Sequence, residues 1–151
     1  MEGMINKMLF VTPERGLLYL TDIFGPEEKP DNQLEHLSCF LPGVLALGAQ
    51  QLDDLPPETR QLHQWAAEGL AYTCWVLYAD QRSGLGPDNA KMVNGGRWVD
   101  KLKKWEEEGA HGKPPGLRVP PPQKDSTKRD YFYSSWRGTW LMRPEVCYLL
   151  S

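Results

Sequence analysis

The stretch Leu34–Ala49, which reads LEHLSCFLPGVLALGA, constrains the fold more than any other part of the chain. Its apolar residues recur at the spacing of one helix face, and this predicts a mostly buried helix. These residues are Leu37, Phe40, Leu41, Val44, Leu45 and Leu47. Pro42 and Gly43 interrupt the pattern, and because proline removes a helical hydrogen bond, the helix either starts at Pro42 or bends there. His36 then precedes the helix or lies in its first turn.

A second helix is predicted from about Glu58 to Asp80. It follows Pro56 and Pro57, and proline is well tolerated in a first helical turn. Its apolar residues again share one face, as expected of a helix that packs on a core. Because the link between the two helices is short, we expect an antiparallel hairpin, the unit of helical bundles and α/α barrels.

Two of the three cysteines lie where this hairpin brings its helices together. Cys39 is early in the first helix and Cys74 is late in the second, so the two become neighbours. A disulfide forms only if the Cα atoms come within ~7 Å. The alternative is a pair of buried free thiols that pack as small hydrophobic groups. The spacing leaves both interpretations open, and Cys147 has no evident partner.

The residues on either side of the hairpin predict smaller elements. Met8–Val11 and Leu17–Leu20 have the composition of a β-hairpin. Residues 81–97 contain Gly-Pro-Asp and Asn-Gly-Gly, which favour a loop. Trp98–Glu108 has the spacing of a short amphipathic helix. Residues 110–128 are rich in proline, glycine and charge, so we expect an exposed linker there.

Length and composition exclude several classes of protein. The 151 residues allow one domain with a sizeable core, and the net charge of −3 offers no basic face for nucleic acid. No apolar run approaches the ~20 residues that cross a bilayer, and the N-terminus lacks a signal-peptide pattern. His36 with Cys39 suggests zinc, but no second pair of ligands has zinc spacing.

Three stretches match, in order, the sequence blocks of one enzyme family. Residues 36–49 are similar to an HL-x-CF-x-x-G-x-x-ALG block, Leu70–Asp88 to an ETCY…TGLSPE block, and Trp140–Val146 to a YLLRPE block. The chain therefore resembles class I α-1,2-mannosidases, glycoside hydrolase family 47. The resemblance implies a mainly α fold, namely a partial (α/α)7 barrel of paired helices with a short β-hairpin near the N-terminus. Residues 1–151 would form one partial catalytic domain, with an exposed insertion at 95–129.

The resemblance also implies which residues form the site. Glu145 matches the glutamate of the RPE motif, a candidate catalytic base, and Arg143 matches the arginine that contacts substrate and orients carboxylates. Its rigid donor fork suits that task. His36 would line the same cavity. Asp88 stands where the family has a glutamate that faces the cavity, although aspartate is one methylene shorter.

Each of these residues also has a plain structural interpretation. Arg143 and Glu145 would form an ion pair at a helix start, where the helix dipole favours a carboxylate. His36 would be a hydrogen-bonded core histidine. Asp88, which follows a proline, would be a turn residue. For Arg143 and Glu145, only the resemblance favours the site over the ion pair. His36 taken alone fits a core histidine better, and for Asp88 both interpretations stay open.

The resemblance implies calcium-dependent, inverting hydrolysis of α-1,2-linked mannose from high-mannose N-glycans or glycoproteins. It implies a location in the secretory pathway, in the endoplasmic reticulum or Golgi or outside the cell. It also implies a disulfide between Cys39 and Cys74, which needs an oxidising compartment. A membrane anchor is expected only in a longer parent chain.

Family members need further parts that this sequence does not supply. The candidate acid would precede residue 1, and a calcium-binding threonine would follow Ser151. We therefore expect the 151-residue chain to be inactive alone. One alternative is a non-catalytic factor on the same fold that binds glycans or serves quality control in the endoplasmic reticulum. Another is a small helical interaction module.

Overall fold

The structure is a computed structural model, and it describes residues 2–117, 121–122 and 130–133. The described residues form helices α1 (Glu2–Met8), α2 (Leu41–Gln51), α3 (Pro57–Ala79) and α4 (Trp98–Glu107), with a 3-10 turn at His36–Phe40. They also form strands β1 (Leu9–Val11), β2 (Leu18–Leu20), β3 (Ile23–Phe24), β4 (Lys29–Pro30), β5 (Gln33–Glu35), β6 (Asn89–Met92) and β7 (Tyr131–Phe132). The fold is therefore mixed α and β, rather than mainly α as the resemblance implied.

Helices α2 and α3 form the expected antiparallel hairpin. At one end, the disulfide joins Cys39, just before α2, to Cys74 near the end of α3. At the other end, the guanidinium of Arg60 in α3 donates hydrogen bonds to the carbonyl oxygens of Ala49 and Leu52. Pro42 is in the first turn of α2, so the helix starts at the proline and does not bend around it.

The core lies on one face of α3. The first half of α3 packs with strand β2 and helix α4 through Ala66, Leu70 and Trp98. Its second half packs with β2, β6 and β7, where Val76 and Leu77 meet Tyr19 and other buried side chains. This single helix therefore connects the two parts of the core.

The prediction that the stretch 34–49 is mostly buried was wrong for four of its apolar side chains. Leu37, Phe40, Val44 and Leu47 are 69%, 47%, 51% and 60% exposed, respectively. For Val44 and Leu47 the reason is that α2 buries only the opposite side, through Pro42, Leu45 and Ala49. Leu37 and Phe40 precede α2 and lie in the 3-10 turn. We call the four exposed side chains the α2 stripe.

The strands form three small antiparallel sheets within the described residues. Pairing of β1 with β2, with Val11 opposite Leu18, confirms the predicted N-terminal hairpin. The order of the third sheet is β5-β6-β7. Strand β6 lies inside residues 81–97, which the sequence predicted to be a loop throughout. Its inner side chains, Ala90 and Met92, are buried.

The prediction of an exposed linker at 110–128 was wrong for residues 114–117. Pro114, Gly116 and Leu117 are buried. The indole nitrogen of Trp98 donates a 2.8 Å hydrogen bond to the carbonyl oxygen of Pro115. Gly69 makes this approach possible, since a Cβ there would lie 2.8 Å from the carbonyl oxygen of Gly116. Local glycine and proline content thus concealed a packed segment.

No helix in the described ranges combines the length and the apolar character that a membrane span requires.

Candidate functional site

The first candidate residue, His36, is buried at the junction between the third sheet and the helical hairpin. It directly follows strand β5 and begins the 3-10 turn that leads into α2. Only 5% of its surface is exposed. Its position is therefore fixed from two sides, by the strand before it and by the helix after it.

A second element, α3, supplies the contact to the His36 side chain. The Oη of Tyr78, in the last turn of α3, is in hydrogen-bond contact with Nε2 of His36. The two rings meet edge to face, with centroids 5.5 Å apart. When the imidazole proton is on Nδ1, the Tyr78 hydroxyl donates and Nε2 accepts. This contact fixes the orientation of the imidazole ring.

The disulfide supports the same contact from one helical turn away. Cys39 lies three residues after His36 in the 3-10 turn, and Cys74 lies four residues before Tyr78 in α3. Residues at these separations share one side of a 3-10 helix and of an α-helix, respectively. The Cα atoms of the two cysteines are 6.0 Å apart. The disulfide that the resemblance implied is thus confirmed, and it holds the two elements together beside His36.

The structure also brings His36 and Asp88 together. The backbone N–H of His36 donates a 2.8 Å hydrogen bond to the carbonyl oxygen of Asp88. The pairing of β5 with β6 continues directly from this bond, with Glu35 opposite Asn89. Two residues that are 52 positions apart in the sequence are therefore neighbours, and the backbone of the sheet places them.

The loop between α3 and β6 folds back over the same place. A Cβ on Gly86 would lie 3.0 Å from two ring carbons of Tyr78, so the loop backbone is in close contact with that ring. Only glycine fits at this distance without a shift of the ring or the loop. Gly86, Tyr78, His36 and Asp88 thus form one continuous group.

The sequence interpretation missed Tyr78. The available signal was its spacing of four residues from Cys74, which places it on the same side of α3 as the disulfide. His36 and Cys39 show the equivalent spacing of three. Given the disulfide, the two spacings together would have predicted a contact between His36 and Tyr78.

The other candidate residues, Arg143 and Glu145, lie outside the described residues, as do Cys147, Trp136 and Trp140. Their roles remain predictions.

A second group of polar side chains, separate from His36, is buried around Asp80 at the end of α3. The Arg15 guanidinium bonds to the Asp80 carboxylate with distances of 2.6 Å and 3.4 Å. The Tyr131 hydroxyl donates to the same carboxylate at 3.0 Å. The side-chain Nε2 of Gln81 donates to Tyr131 Oη, and the Tyr133 hydroxyl donates to the side-chain Oε1 of Gln81. We call these five side chains the Asp80 cluster.

His63, a second buried histidine, lies on α3 away from both groups. It is 4% exposed, and neither ring nitrogen has a hydrogen-bond partner among the described residues. Burial lowers the pKa of His63 below its ordinary value of 6.5, because the charged form loses its hydration. The fold therefore favours the neutral imidazole here.

Among the residues that the structure describes, no group of three or more His, Cys, Asp or Glu side chains is arranged to hold a metal ion. Calcium, which prefers six to eight oxygen ligands, has no assigned ligand among these residues.

Comparison with known proteins gives one matching family. The sequence model for glycosyl hydrolase family 47 matches residues 1–148. The chain is 37% identical over 97 residues to mannosyl-oligosaccharide alpha-1,2-mannosidase IA of Spodoptera frugiperda, a match that covers 62% of this chain and 13% of that protein. It is 31% identical over 99 residues to mannosyl-oligosaccharide 1,2-alpha-mannosidase MNS3 of Arabidopsis thaliana, covering 60% of this chain and 16% of that protein.

A human protein gives a similar match. The chain is 34% identical over 97 residues to mannosyl-oligosaccharide 1,2-alpha-mannosidase IC of Homo sapiens, covering 64% of this chain and 14% of that protein. The chain thus spans between 13% and 16% of the length of these curated relatives.

Proposed function

Since the chain belongs to glycosyl hydrolase family 47, we propose that the protein carrying it hydrolyses α-1,2-linked mannose from high-mannose N-glycans. The observation that carries this proposal is the family match over residues 1–148. The mannosidase names of the three relatives support it. A glycan or glycoprotein is then the partner, and the secretory pathway is the location.

The geometry around His36 fits a substrate-binding role. The histidine and Asp88 meet at the junction of a sheet, a loop and a helix end. Three interactions fix His36 there. The Tyr78 hydroxyl contacts its imidazole, its backbone N–H bonds to Asp88, and the disulfide joins the two elements beside it. Binding groups that are fixed before the substrate arrives lose less conformational entropy on binding.

We propose Glu145 as the base of the reaction and Arg143 as its neighbouring cation. An inverting glycosidase needs an acid that protonates the leaving oxygen and a base that activates water, with the two carboxyl groups roughly 6.5–9.5 Å apart. Glu145 would remove a proton from the attacking water. The Arg143 fork would bind a carboxylate or a sugar hydroxyl and keep it in place.

The remaining features of the family are proposals of the same kind. The α2–α3 hairpin would be one helix pair of an (α/α) barrel, and residues 95–129 would be an insertion in a partial catalytic domain. Calcium, when bound, would supply a positive charge that orients sugar hydroxyls. Its ligands are expected outside the described residues.

The experiment is mannose release by the whole natural protein, isolated from its source and incubated with a high-mannose N-glycan. We expect release of β-mannose as the first product, detected by proton NMR before mutarotation, because inversion of an α-linkage gives the β-anomer. Chelation of calcium is expected to abolish release. The isolated chain 1–151 is expected to release no mannose.

A matched pair of variants tests the base. Glu145→Gln should lower kcat by about 1,000-fold or more, whereas Glu107→Gln, at an exposed position on α4, should leave it unchanged. Glycan binding without any release by the wild-type protein would overturn the enzyme proposal and favour the non-catalytic binding factor. Neither binding nor release would favour the small interaction module.

A further inference from the structure

The Arg15–Asp80 ion pair is buried. Its two side chains are 3% and 0% exposed. Burial removes both charges from water, and in such cases apolar side chains of similar volume often stabilise a fold as well or better. Where a buried ion pair serves a purpose besides stability, fixing a register or a geometry is the best attested one.

The position of the pair indicates what geometry it fixes. Asp80 directly follows α3, two residues after Tyr78, which contacts His36. The Tyr131 hydroxyl donates to Asp80, and Tyr131 pairs with Met92 across β7 and β6. The end of α3 is therefore attached to the third sheet at two separate points.

These contacts form a closed path. It runs from Asp80 to Tyr131, across β6 to β5, through His36, and back to α3 at Tyr78. The backbone bond from His36 to Asp88 lies on the same path. Removing the Asp80 carboxylate breaks this path at the end of α3, where Gln81 makes the neighbouring bonds to Tyr131 and Tyr133.

The loop at residues 81–88 depends on this path. Residues 83–85 are exposed, and hydrogen bonds of Gln81 and Asp88 hold the two ends of the loop. Gln81, at the first end, donates to the Leu77 carbonyl oxygen and to Tyr131 Oη. Asp88, at the second end, is held by its bond from His36.

Arg15 attaches a further element to the path. Its guanidinium binds Asp80, and its backbone N–H donates a 2.7 Å bond to the Asp130 carboxylate, next to Tyr131. The turn between β1 and β2 is thereby held to α3 and to β7 at once. The ion pair is the point at which all three meet.

We propose that Arg15 and Asp80 are positioning residues that set the distance between His36 and Asp88 and orient both toward substrate. The proposal rests on the proposed function for its link to mannose release. Misplacement of a binding group by about 1 Å can cost a hundredfold in rate, so the loss of this ion pair is expected to be measurable.

The test separates positioning from stability. The double variant Arg15→Met with Asp80→Leu replaces the ion pair by apolar side chains, so its melting temperature should stay within a few degrees of wild type. We expect the exchange of the His36 amide hydrogen to become about tenfold faster or more, because its bond to Asp88 is no longer held in place. In the whole natural protein, kcat for mannose release should fall by about tenfold or more.

Two further variants make the result decisive. Asp31→Asn removes an exposed ion pair to Lys91 of β6, and it should change neither the His36 amide exchange rate nor kcat. Tyr131→Phe removes one hydroxyl from the Asp80 cluster. It replaces the double variant in the test if the double variant does not fold. Like the double variant, Tyr131→Phe should accelerate the exchange of the His36 amide hydrogen and lower kcat for mannose release.

A folded double variant, or a folded Tyr131→Phe protein, with wild-type exchange and wild-type kcat overturns the proposal. If the wild-type protein releases no mannose, the proposed function fails instead. In that case the His36 amide still reports whether the pair positions the two residues.

Discussion

Helices α2 and α3 have similar apolar patterns in the sequence, but they are buried to different extents in the structure. Helix α3 buries nine residues along its 23-residue length, whereas α2 buries three of its eleven. Helix α3 is surrounded by β2, α4 and the third sheet, and α2 contacts chiefly α3. Periodicity thus identifies an apolar face, but the number of neighbouring elements decides whether the face is buried.

Of the changes that test this comparison, removal of the disulfide should lower the free energy of unfolding most, because the disulfide joins the two helices. The bond closes a loop of 35 residues. Loss of the bond by Cys39→Ser with Cys74→Ser should lower the free energy of unfolding by about 4 kcal/mol by loop entropy. Urea denaturation measures this.

Each single serine variant should lose nearly as much as the double one, since either change breaks the bond. Wild type treated with a reductant should approach the variants. Losses that simply add between the two sites would mean that the cysteines act as separate core residues.

A large-to-small change in α3 should have the next largest effect. Leu70 is 3% exposed and packs in the first part of the core. Leu70→Ala should lower the free energy of unfolding by about 3 kcal/mol, because it leaves a cavity. Thermal or urea denaturation of the two proteins side by side measures the difference.

The matched change in the α2 stripe, Leu47→Ala, should cost less than about 0.5 kcal/mol. Leu47 is 60% exposed. Equal losses at the two positions would contradict the difference in burial on which the comparison depends.

A third prediction concerns His63 on the buried side of α3. Its pKa in the folded state lies below 6.5 because of burial, so the unfolded chain takes up a proton first as the pH falls. The stability that this histidine contributes is therefore complete above about pH 6.5 and is lost as the pH falls toward the lower, folded-state pKa.

Unfolding midpoints measured from pH 8 to pH 5 should show this loss in wild type. His63→Leu should reduce it, whereas His111→Gln, at an exposed site, should not. If the pH dependence of stability is the same in His63→Leu as in wild type, other titratable groups cause it.

The smallest effect is expected at the α2 stripe itself. Val44→Asn with Leu47→Gln should change the free energy of unfolding by no more than about 0.5 kcal/mol, since both side chains are more than half exposed. Because exposed apolar patches promote association, the same variant should be more soluble at high concentration. A light-scattering series against concentration measures this, and a large drop in stability would show that the stripe is packed.

Sequence reasoning predicted the elements that depend on local patterns. The helical hairpin, helix α4 and the β1–β2 pairing follow from periodicity and turn residues. The position of the cysteines alone left the disulfide open, and the family resemblance implied it. Strand β6 was missed because Asn89–Met92 is short, lies among glycine and proline signals, and is a strand only through pairing with β5 and β7.

For the site, the sequence located His36 and Asp88 but not their contact. The contact depends on a strand register, which local patterns do not encode. The Asp80 cluster was also missed, since Arg15, Asp80 and Tyr131 are more than 50 residues apart in each direction and meet only in the folded chain. Long-range polar contacts of this kind carry no spacing signal.

The crossing of Gly69 and Gly116 has a consequence for how this sequence can vary. A Cβ on Gly69 would meet the backbone of Gly116, and Gly116 has a φ of +87°, which side chains other than glycine rarely adopt. A side chain at Gly69 would therefore displace the segment 114–117, and one at Gly116 would press on Leu18 and the Trp98 indole. Each of the two positions is expected to stay glycine in any sequence that keeps this crossing.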